Sequence, residues 1–395
     1  MPQAQTSNPF TERVTFLQAE GAYAVLARAQ ALEAQGRKIV HLEIGQPDFP
    51  TPVNVSEAGI TAIRLGKTKY TPPAGMPQFR AMIADHAGRP RGVRIDPAQV
   101  VVGCGSKPGL FFPTLALVAP GDEVLYPDPG FPTYEAMIRV AGGIPVPIPL
   151  WEEKAFSFDL DVFDAKISNR TKLIVLNSPG NPTGGVIPLE DLEHIAKKAR
   201  QHKCWVLSDE IYTQLVYDGM KAHSIAEVDG MPERTVIVDG FSKTYSMTGW
   251  RLGYMIAPIT LAKRLELLIT HATGCTATFT QYAGMEALSG PQDFVAEMCA
   301  EYQHRRDRML ELVNAIPGVH AQKPQGAFYV FPNVKSYGLS SKEIASRLID
   351  EAGVAVLAGT DFGAGGEGYI RLVYAVSMEV IEEGLEKIAG WFRSL

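Results

Sequence analysis

Apolar residues are grouped differently in three successive parts of the chain. Residues 23–35 are rich in alanine and leucine, and Gly36 follows where a helix would stop. A short apolar run, residues 39–42, comes next and ends in a turn formed by residues 45–47. The pattern predicts an N-terminal arm made of one helix and one short extended segment.

From about residue 98 the pattern changes to short β-branched runs separated by helical stretches. The clearest helix follows Pro188, and its apolar residues form one stripe: Leu192, Ile195, Ala196 and Ala199. Alternation of this kind indicates a largely parallel sheet covered by helices, an α/β fold. The predicted strands contain residues 100–102, 123–126, 173–176, 205–207 and 236–238.

A long charged amphipathic stretch, residues 292–315, begins the last part and ends at Pro317 and Gly318. A second set of elements then runs to Leu395. We therefore predict an N-terminal arm that forms part of a small domain (residues 1–46), a large domain (residues 47–291), and a linking helix with the rest of the small domain (residues 292–395).

Composition excludes several classes of function. With 395 residues, 46% hydrophobic and 20% charged, the chain resembles an ordinary globular protein of two domains. A net charge of -6 without any lysine or arginine block argues against nucleic acid or an anionic membrane as a partner. Four widely spaced cysteines and no HExxH motif predict neither disulfides nor a metal site.

The start of the chain carries no recognisable targeting signal. Met1 to Phe10 is polar and contains proline, and no run of about eighteen apolar residues occurs anywhere. We therefore expect no signal peptide and no membrane span. The predicted location is the cytoplasm.

Polar clusters follow the predicted strands directly. Ligands of open α/β sheets bind outside the carboxyl ends of the strands, so these clusters predict one shared pocket. They are residues 103–107, 128–131, 177–184, 208–210 and 242–243.

The chemistry of the clusters favours a cofactor that carries both a carbonyl group and an anion. Lys243 offers a primary amine at a strand end, with Arg251 eight residues on, which suits pyridoxal phosphate. The turn at Gly105 and Ser106 leads into a predicted helix whose free amides could hold a phosphate. Burial of the Asp209 carboxylate at the sheet edge would cost free energy unless the carboxylate met a cation such as a protonated pyridine nitrogen. Each cluster alone has a plainer alternative: a turn, a helix cap or a solvated charge.

Taken together, the motifs resemble those of the pyridoxal phosphate-dependent aminotransferases of fold type I, class I, and within them the prokaryotic aspartate aminotransferase-like subgroup. The resemblance implies a large domain with a mostly parallel seven-stranded sheet covered by helices, and a smaller α/β domain built from the arm and the C-terminal part. It also implies ping-pong transfer of an amino group from an L-α-amino acid to a 2-oxo acid, with 2-oxoglutarate as the usual acceptor. The motifs occur in family order at residues 45–49, 66–75, 177–184, 208–212, 242–251 and 369–372.

The resemblance assigns roles around the cofactor ring. Lys243 would form the Schiff base and then carry the proton between the substrate α-carbon and the cofactor aldehyde carbon. Asp209 would keep the pyridine nitrogen protonated, while Asn181 and Tyr212 would bond the ring hydroxyl oxygen. Phe131 would stack on the ring.

It also assigns the anion-binding residues. The α-carboxylate of the substrate would bind Arg371, beside Asn181 and the Gly45 backbone. Tyr70 would reach the phosphate of a neighbouring subunit, which implies a homodimer with shared sites. The phosphate in the same subunit would lie among the amides around Gly105 and the side chains of Ser106, Lys107, Ser242 and Arg251.

Two positions depart from the subgroup pattern. Gly240 stands where many members have a serine, so one phosphate hydrogen bond is missing or is made by Ser242. Some aspartate-specific relatives combine a lysine at the position of Lys107 with small hydroxyl residues in the arm, where this chain has Glu20 and Ala22. Glu20 would repel a dicarboxylic substrate or occupy Lys107, or it is a solvated helix-start residue, which we favour. Aspartate or an aromatic amino acid is the expected donor.

Three alternatives stay open at this stage. A lyase of the same fold, catalysing β-elimination or C–S cleavage, would use the same lysine and aspartate. A sensor domain of a transcription regulator would need a DNA-binding module, for which the region before Gly45 is too short and not basic. A nicotinamide dehydrogenase could use the glycines of residues 103–109, but their GxGxxxG spacing is one residue too long.

Overall fold

A computed structural model describes residues 10–17 and 19–395 and gives the bounds of the elements. The strands are β1 (Val40–His41), β2 (Val100–Cys104), β3 (Glu123–Asp128), β4 (Ile144–Pro149), β5 (Thr171–Asn177), β6 (Trp205–Asp209), β7 (Thr235–Gly240), β8 (Leu252–Ile256), β9 (Tyr329–Val330), β10 (Val354–Ala355), β11 (Leu357–Ala358) and β12 (Ile370–Val373). The helices are α1 (Glu12–Thr15), α2 (Gly21–Glu33), α3 (Val53–Arg64), α4 (Pro77–Arg91), α5 (Lys107–Leu117), α6 (Thr133–Val140), α7 (Leu160–Lys166), α8 (Leu189–Gln201), α9 (Ile259–Ala272), α10 (Thr278–Ser289), α11 (Asp293–Asn314), α12 (Ser341–Arg347) and α13 (Met378–Arg393).

Across the described residues, the central sheet has seven strands in the order β2-β8-β7-β6-β5-β3-β4. The pairings between β7 and β4 are all parallel, whereas β8 runs antiparallel to both of its neighbours. Side chains of β5 alternate between two buried clusters, with Leu173 and Val175 on one face and Ile174 and Leu176 on the other. Helices therefore cover both faces, and the predicted α/β class with a mostly parallel seven-stranded sheet is confirmed.

The five strands located from sequence are present, and β4 and β8 are additional. Strand β4 carries proline at positions 145, 147 and 149, which hides it from a search for β-branched runs. It lies at the edge of the sheet, where proline costs fewer ladder hydrogen bonds. Strand β8 begins directly after Arg251, where the stretch that was interpreted as part of the site ends.

The predicted helices are found with small shifts of their ends. Helix α8 begins one residue after Pro188 and buries the predicted stripe of Leu192, Ile195, Ala196 and Ala199. Helix α2 covers Gly21–Glu33 rather than residues 23–35, and Gly36 follows with φ +85°. The long helix α11 covers most of the predicted stretch 292–315.

The rest of the chain forms two small sheets that pack with α11, α12 and α13. Strand β1 of the arm pairs in parallel with β10, and β12 lies between β11 and β9 in an antiparallel sheet. Their core includes the buried rings of Tyr302, Phe328, Tyr374 and Trp391. The exact domain limits stay a prediction, and residues 1–9, on which the absence of a signal peptide was predicted, lie outside the described residues.

In the part of the chain that the structure describes, no helix is both long and apolar enough to cross a membrane.

Candidate active site

A cavity of about 920 Å³ opens at the carboxyl ends of the central strands, where the arm and β12 meet the sheet. Its wall is made by loops that follow β5, β6 and β7, by the first turn of α5 and by the arm. The structure brings together most of the residues predicted for the site. Those on the cavity wall are Glu20, Gly45, Ser106, Lys107, Phe131, Asn181, Asp209, Tyr212, Ser242, Lys243, Arg251 and Arg371.

Lys243 is the amine at the centre of this wall. Its Nζ donates a hydrogen bond of 2.5 Å to the carbonyl oxygen of Gly45. Burial, with the positive charges of Arg371 and Arg251, lowers the pKa of Lys243 to about 7. A large share of the amine is therefore neutral near pH 7 and able to attack a carbonyl carbon.

Asp209 ends β6 as a buried carboxylate that faces the cavity. Burial raises the pKa of Asp209 to about 6, although the hydroxyl of Tyr134 donates a 2.8 Å hydrogen bond to Oδ2. A carboxylate in such a place is best satisfied by a cationic nitrogen. Tyr134 was not predicted, because a tyrosine in an apolar helix pattern is typical of the core, and it is indeed buried on α6. The signal that could have identified it is its position three residues after Phe131.

The turn between β2 and α5 forms a cradle whose donor groups suit an anion. Gly105 has φ +84°, and a side chain there would overlap the guanidinium of Arg251. A Cβ on Gly253 of β8 would lie 2.5 Å from the carbonyl carbon of Gly105 and 2.6 Å from the amide nitrogen of Ser106. Ser106 precedes α5 without a side-chain capping bond. Ser106, Lys107 at the start of α5 and Arg251 all line the cavity. Backbone amides and a guanidinium in this arrangement suit a phosphate.

Arg371 of β12 is a buried guanidinium, 3% exposed. Its Nη1 donates to Oδ1 of Asn181 at 3.0 Å and its Nη2 donates to the carbonyl oxygen of Glu43 at 2.5 Å. Within the described residues its buried Nε has no hydrogen-bond partner. Burial lowers the pKa of Arg371. A guanidinium with a spare N–H donor can bind one carboxylate, which would also offset the cost of that unpaired group.

Asn181 contacts Arg371, and the centre of the Tyr212 ring lies 5.9 Å from the Nζ of Lys243. The Oδ1 of Asn181 accepts the bond from Arg371, so its amide nitrogen remains as a donor towards the cavity. The hydroxyl of Tyr212 lies 2.7 Å from the hydroxyl of Tyr329. Tyr329 was not predicted, because the apolar run around it on β9 is typical of a core strand.

Glu20 and Lys107 form an ion pair at the mouth of the cavity. Glu20 does stand directly before α2, but its side chain makes no capping bond there. Glu20 therefore occupies the helix-start position that we favoured, but its carboxylate also pairs with Lys107, which was the alternative interpretation. The Lys107 ammonium, which also lies 5.3 Å from the centre of the Phe131 ring, attracts the carboxylate.

The remaining predicted residues differ in position. Ser242 is buried on the cavity wall. A Cβ at Gly240 would lie 3.0 Å from the Cα of Gly253, so the two strands are too close at that point for an unstrained serine. Tyr70 is 95% exposed and lies off the wall of the cavity. In the described part of the chain, no cluster of three or more histidine, cysteine, aspartate or glutamate residues could hold a metal ion.

The comparisons with known proteins agree on one family. A family model described as aminotransferase class I and II matches residues 37–388. The chain is 40% identical to an aspartate aminotransferase of Pyrococcus abyssi, over 90% of this chain and 92% of that protein. It is 41% identical to a probable aspartate/prephenate aminotransferase of Aquifex aeolicus, over 95% and 96% of the two chains. A solved structure of Thermus thermophilus aspartate aminotransferase with maleate is 39% identical, with a TM-score of 0.93, covering 97% of this chain and 99% of that one.

The chain therefore belongs to the class I and II aminotransferases. It is an enzyme that transfers amino groups, and its similarity is to the aspartate aminotransferase type within a family that uses pyridoxal phosphate. The predicted resemblance and reaction are confirmed, and the lyase alternative is not favoured because these relatives are named as aminotransferases.

Proposed function

We propose that the cavity holds pyridoxal phosphate joined to Lys243 and that the surrounding residues carry out amino transfer there. The observation that carries the proposal is the convergence of three groups on one cavity. These groups are the low-pKa amine of Lys243, the buried carboxylate of Asp209 and the anion cradle at Ser106 and Arg251. The carboxylate of Asp209 suits a basic ring nitrogen, and the cradle at Ser106 and Arg251 suits a phosphate. Pyridoxal phosphate carries both groups.

Pyridoxal phosphate, when bound, supplies an aldehyde that combines with amines and a protonated ring that accepts an electron pair. Asp209 would hold that ring nitrogen in its protonated form, and the hydrogen bond from Tyr134 would help to keep the carboxylate ionised. Asn181 and Tyr212 would donate to the ring oxygen, and the Phe131 ring would cover one face. Each of these roles uses a side chain that already lies on the cavity wall.

Lys243 would also move the proton. Its amine is neutral in part near pH 7 and can take a proton from the substrate α-carbon and later return one. Arg371 would bind the substrate α-carboxylate through its unpaired Nε and a neighbouring N–H, beside the Gly45 backbone. This pair of contacts would fix the α-carbon within reach of Lys243.

The half-reaction tests this proposal. Protein loaded with pyridoxal phosphate is mixed with one L-amino acid in the absence of a 2-oxo acid, and the visible absorption is followed. We expect conversion to the amine form of the cofactor, reversed by 2-oxoglutarate. Lys243→Ala should slow both directions by at least about a thousandfold, because the base is lost. Conversion by Lys243→Ala at the wild-type rate would contradict the proposal.

For the donor, we propose that Glu20 weakens selection of dicarboxylic amino acids by neutralising Lys107. The ion pair between them leaves the ammonium less free to bind a distal carboxylate. Relatives are named for aspartate, aspartate/prephenate and aromatic amino acids, so aspartate and aromatic donors are the candidates. The arrangement favours comparable use of an aromatic donor and aspartate.

Glu20→Gln tests the donor proposal. Releasing Lys107 should raise kcat/KM for aspartate relative to phenylalanine by roughly fivefold, and added salt should reduce the gain. Glu386→Gln, which removes an exposed carboxylate of α13, is the matched control and should leave the ratio unchanged. An unchanged ratio in Glu20→Gln would exclude Glu20 as a determinant of donor choice.

A homodimer with shared sites is also proposed. Tyr70, assigned to a neighbouring subunit's phosphate, is almost fully exposed, as such a residue must be before association. Apolar side chains are also exposed a little earlier in the sequence, on α3 and just after it. They are Val53, Ile60, Ile63 and Leu65.

A further inference from the structure

Tyr329 lies next to three groups that have proposed roles in the cavity. Its side chain is buried on β9, and its ring lies 4.5 Å from the guanidinium of Arg371. Its hydroxyl lies 2.7 Å from the hydroxyl of Tyr212, and a side chain on Gly45 would overlap it. One residue of the small sheet therefore contacts the groups assigned to the α-carboxylate, the ring oxygen and the Lys243 partner.

The ring of Tyr329 packs against Arg371. The guanidinium carbon lies 4.5 Å from the centre of this ring and 4.8 Å from the centre of the Phe362 ring. In a buried site, contact with an aromatic face stabilises a guanidinium and favours one orientation of its plane. Loss of the ring would leave Arg371 with its hydrogen bonds to Asn181 and the Glu43 carbonyl and with the Phe362 ring on its own.

The hydroxyl of Tyr329 is paired with the hydroxyl of Tyr212. A phenol that accepts a hydrogen bond becomes a stronger donor in turn, because hydrogen bonds in a chain polarise one another. If Tyr329 donates to Tyr212, the proton of Tyr212 is directed towards the cavity. Burial raises the pKa of both phenols, so both keep their protons at neutral pH and can donate hydrogen bonds.

We infer that Tyr329 is a positioning residue with two separable effects, in which its ring orients Arg371 and its hydroxyl orients and strengthens the Tyr212 donor. The inference rests on the proposed function, in which Tyr212 faces the ring oxygen and Arg371 binds the α-carboxylate. It assigns a role to a residue that touches neither reacting atom directly.

Tyr329→Phe tests the hydroxyl effect. The variant keeps the ring and removes the donor, so Tyr212 should stabilise negative charge on the ring oxygen less well. The pKa of the junction between Lys243 and the cofactor, which is read from the visible absorption of the loaded protein, should rise by roughly half a unit. Tyr374→Phe removes another buried hydroxyl of the same core, one that donates to the Ala327 carbonyl at 3.2 Å, and should not shift this pKa. Equal shifts in both variants, or no shift in Tyr329→Phe, would overturn this part.

Tyr329→Leu and Tyr329→Met test the ring effect, and two variants are made so that a folding failure of one leaves the other. Binding of 3-phenylpropionate, an unreactive monocarboxylate, is measured by its effect on the visible absorption. The Kd should rise about tenfold in both, because Arg371 loses its support, and less than about twofold in Tyr329→Phe. A wild-type Kd in Tyr329→Met or Tyr329→Leu would overturn this part. Wild-type protein that fails to bind pyridoxal phosphate at Lys243 would instead contradict the proposed function.

Discussion

At the scale of single residues, burial shifts the pKa values of Lys243 and Asp209 in opposite directions. The two pKa values therefore come closer to each other. Burial lowers the pKa of the lysine to about 7 and raises that of the aspartate to about 6. Both groups are therefore less firmly charged than they would be in water. A ligand with a carbonyl carbon and a basic nitrogen relieves both costs at once, which links the electrostatics of the cavity to its proposed cofactor.

The pKa of Lys243 leads to a prediction about pH. Only the neutral amine attacks an aldehyde, and a lysine of lowered pKa is neutral above about 7. The rate at which cofactor-free protein takes up pyridoxal phosphate should rise about tenfold between pH 6 and pH 8 and then level off. Rapid mixing with absorbance detection measures this rate. A rate that continues to rise beyond pH 9 would indicate an ordinary lysine and contradict the prediction.

Tyr134 gives a second prediction at this scale. Tyr134→Phe removes the hydrogen bond to Asp209 and should raise the pKa of that carboxyl further, so the protein should bind pyridoxal phosphate about tenfold more weakly. Equilibrium dialysis measures the Kd. Tyr126→Phe is the control, since its hydroxyl donates to Glu135 at 3.3 Å, outside the cavity. Equal losses in the two variants would show a general effect on folding.

Some residues of the site could be predicted from the sequence and others could not. The polar residues of the strand-end loops, such as Asn181 and Asp209, were found because parallel strands bring their carboxyl ends together. Tyr134 and Tyr329 were missed because their apolar rings fit the core pattern, and only their hydroxyl partners show another role. The pairing of Glu20 with Lys107 joins positions far apart in the chain, so local pattern could not settle it.

At the scale of elements, the approach of β8 to the turn before α5 shapes the anion cradle. Gly253 has no side chain, so the backbone of Gly105 and Ser106 can lie against it. The sheet order explains this contact, since β2 and β8 are antiparallel neighbours and Gly103 pairs with Gly253. The antiparallel β8 was not located from sequence, so the reason for this glycine was not predictable either.

Gly253→Ala tests this arrangement. The added methyl would displace the turn, and we expect the affinity for pyridoxal phosphate to fall by at least about tenfold while the circular dichroism of the protein is retained. Gly390→Ala is the matched control, because no atom lies within 4 Å of a Cβ at that exposed position in α13. Unchanged affinity in Gly253→Ala would mean that the cradle does not hold the phosphate.

At the scale of the whole molecule, the cavity draws on distant parts of the chain. Asp209 comes from the end of β6, Lys243 from the loop after β7 and Arg371 from β12, and the arm supplies Gly45 and Glu20. Alternation of strands and helices predicted the α/β class, and the family resemblance gave the strand number. The exact domain limits and the cytoplasmic location stay predictions.

The dimer proposal is tested by complementation. Tyr70→Ala and Lys243→Ala chains with different tags are co-expressed, and the mixed dimer is purified. One of its two sites should then combine an intact Lys243 with the partner chain's intact tyrosine, giving about half of wild-type activity although each parent is impaired. The control pair, Lys243→Ala with Asp209→Ala, should stay inactive because each cavity carries a defect. A mixed dimer no more active than its Tyr70→Ala parent would contradict sharing.

The central claim is that one lysine binds the cofactor covalently, and peptide mapping after borohydride reduction tests it most directly. Protein loaded with pyridoxal phosphate is reduced, digested and analysed by mass spectrometry. We predict that the peptide containing Lys243 carries the pyridoxyl phosphate group and that no label appears in Lys243→Ala under the same conditions. An unlabelled Lys243 peptide, or equal labelling of surface lysines in both proteins, would contradict the account.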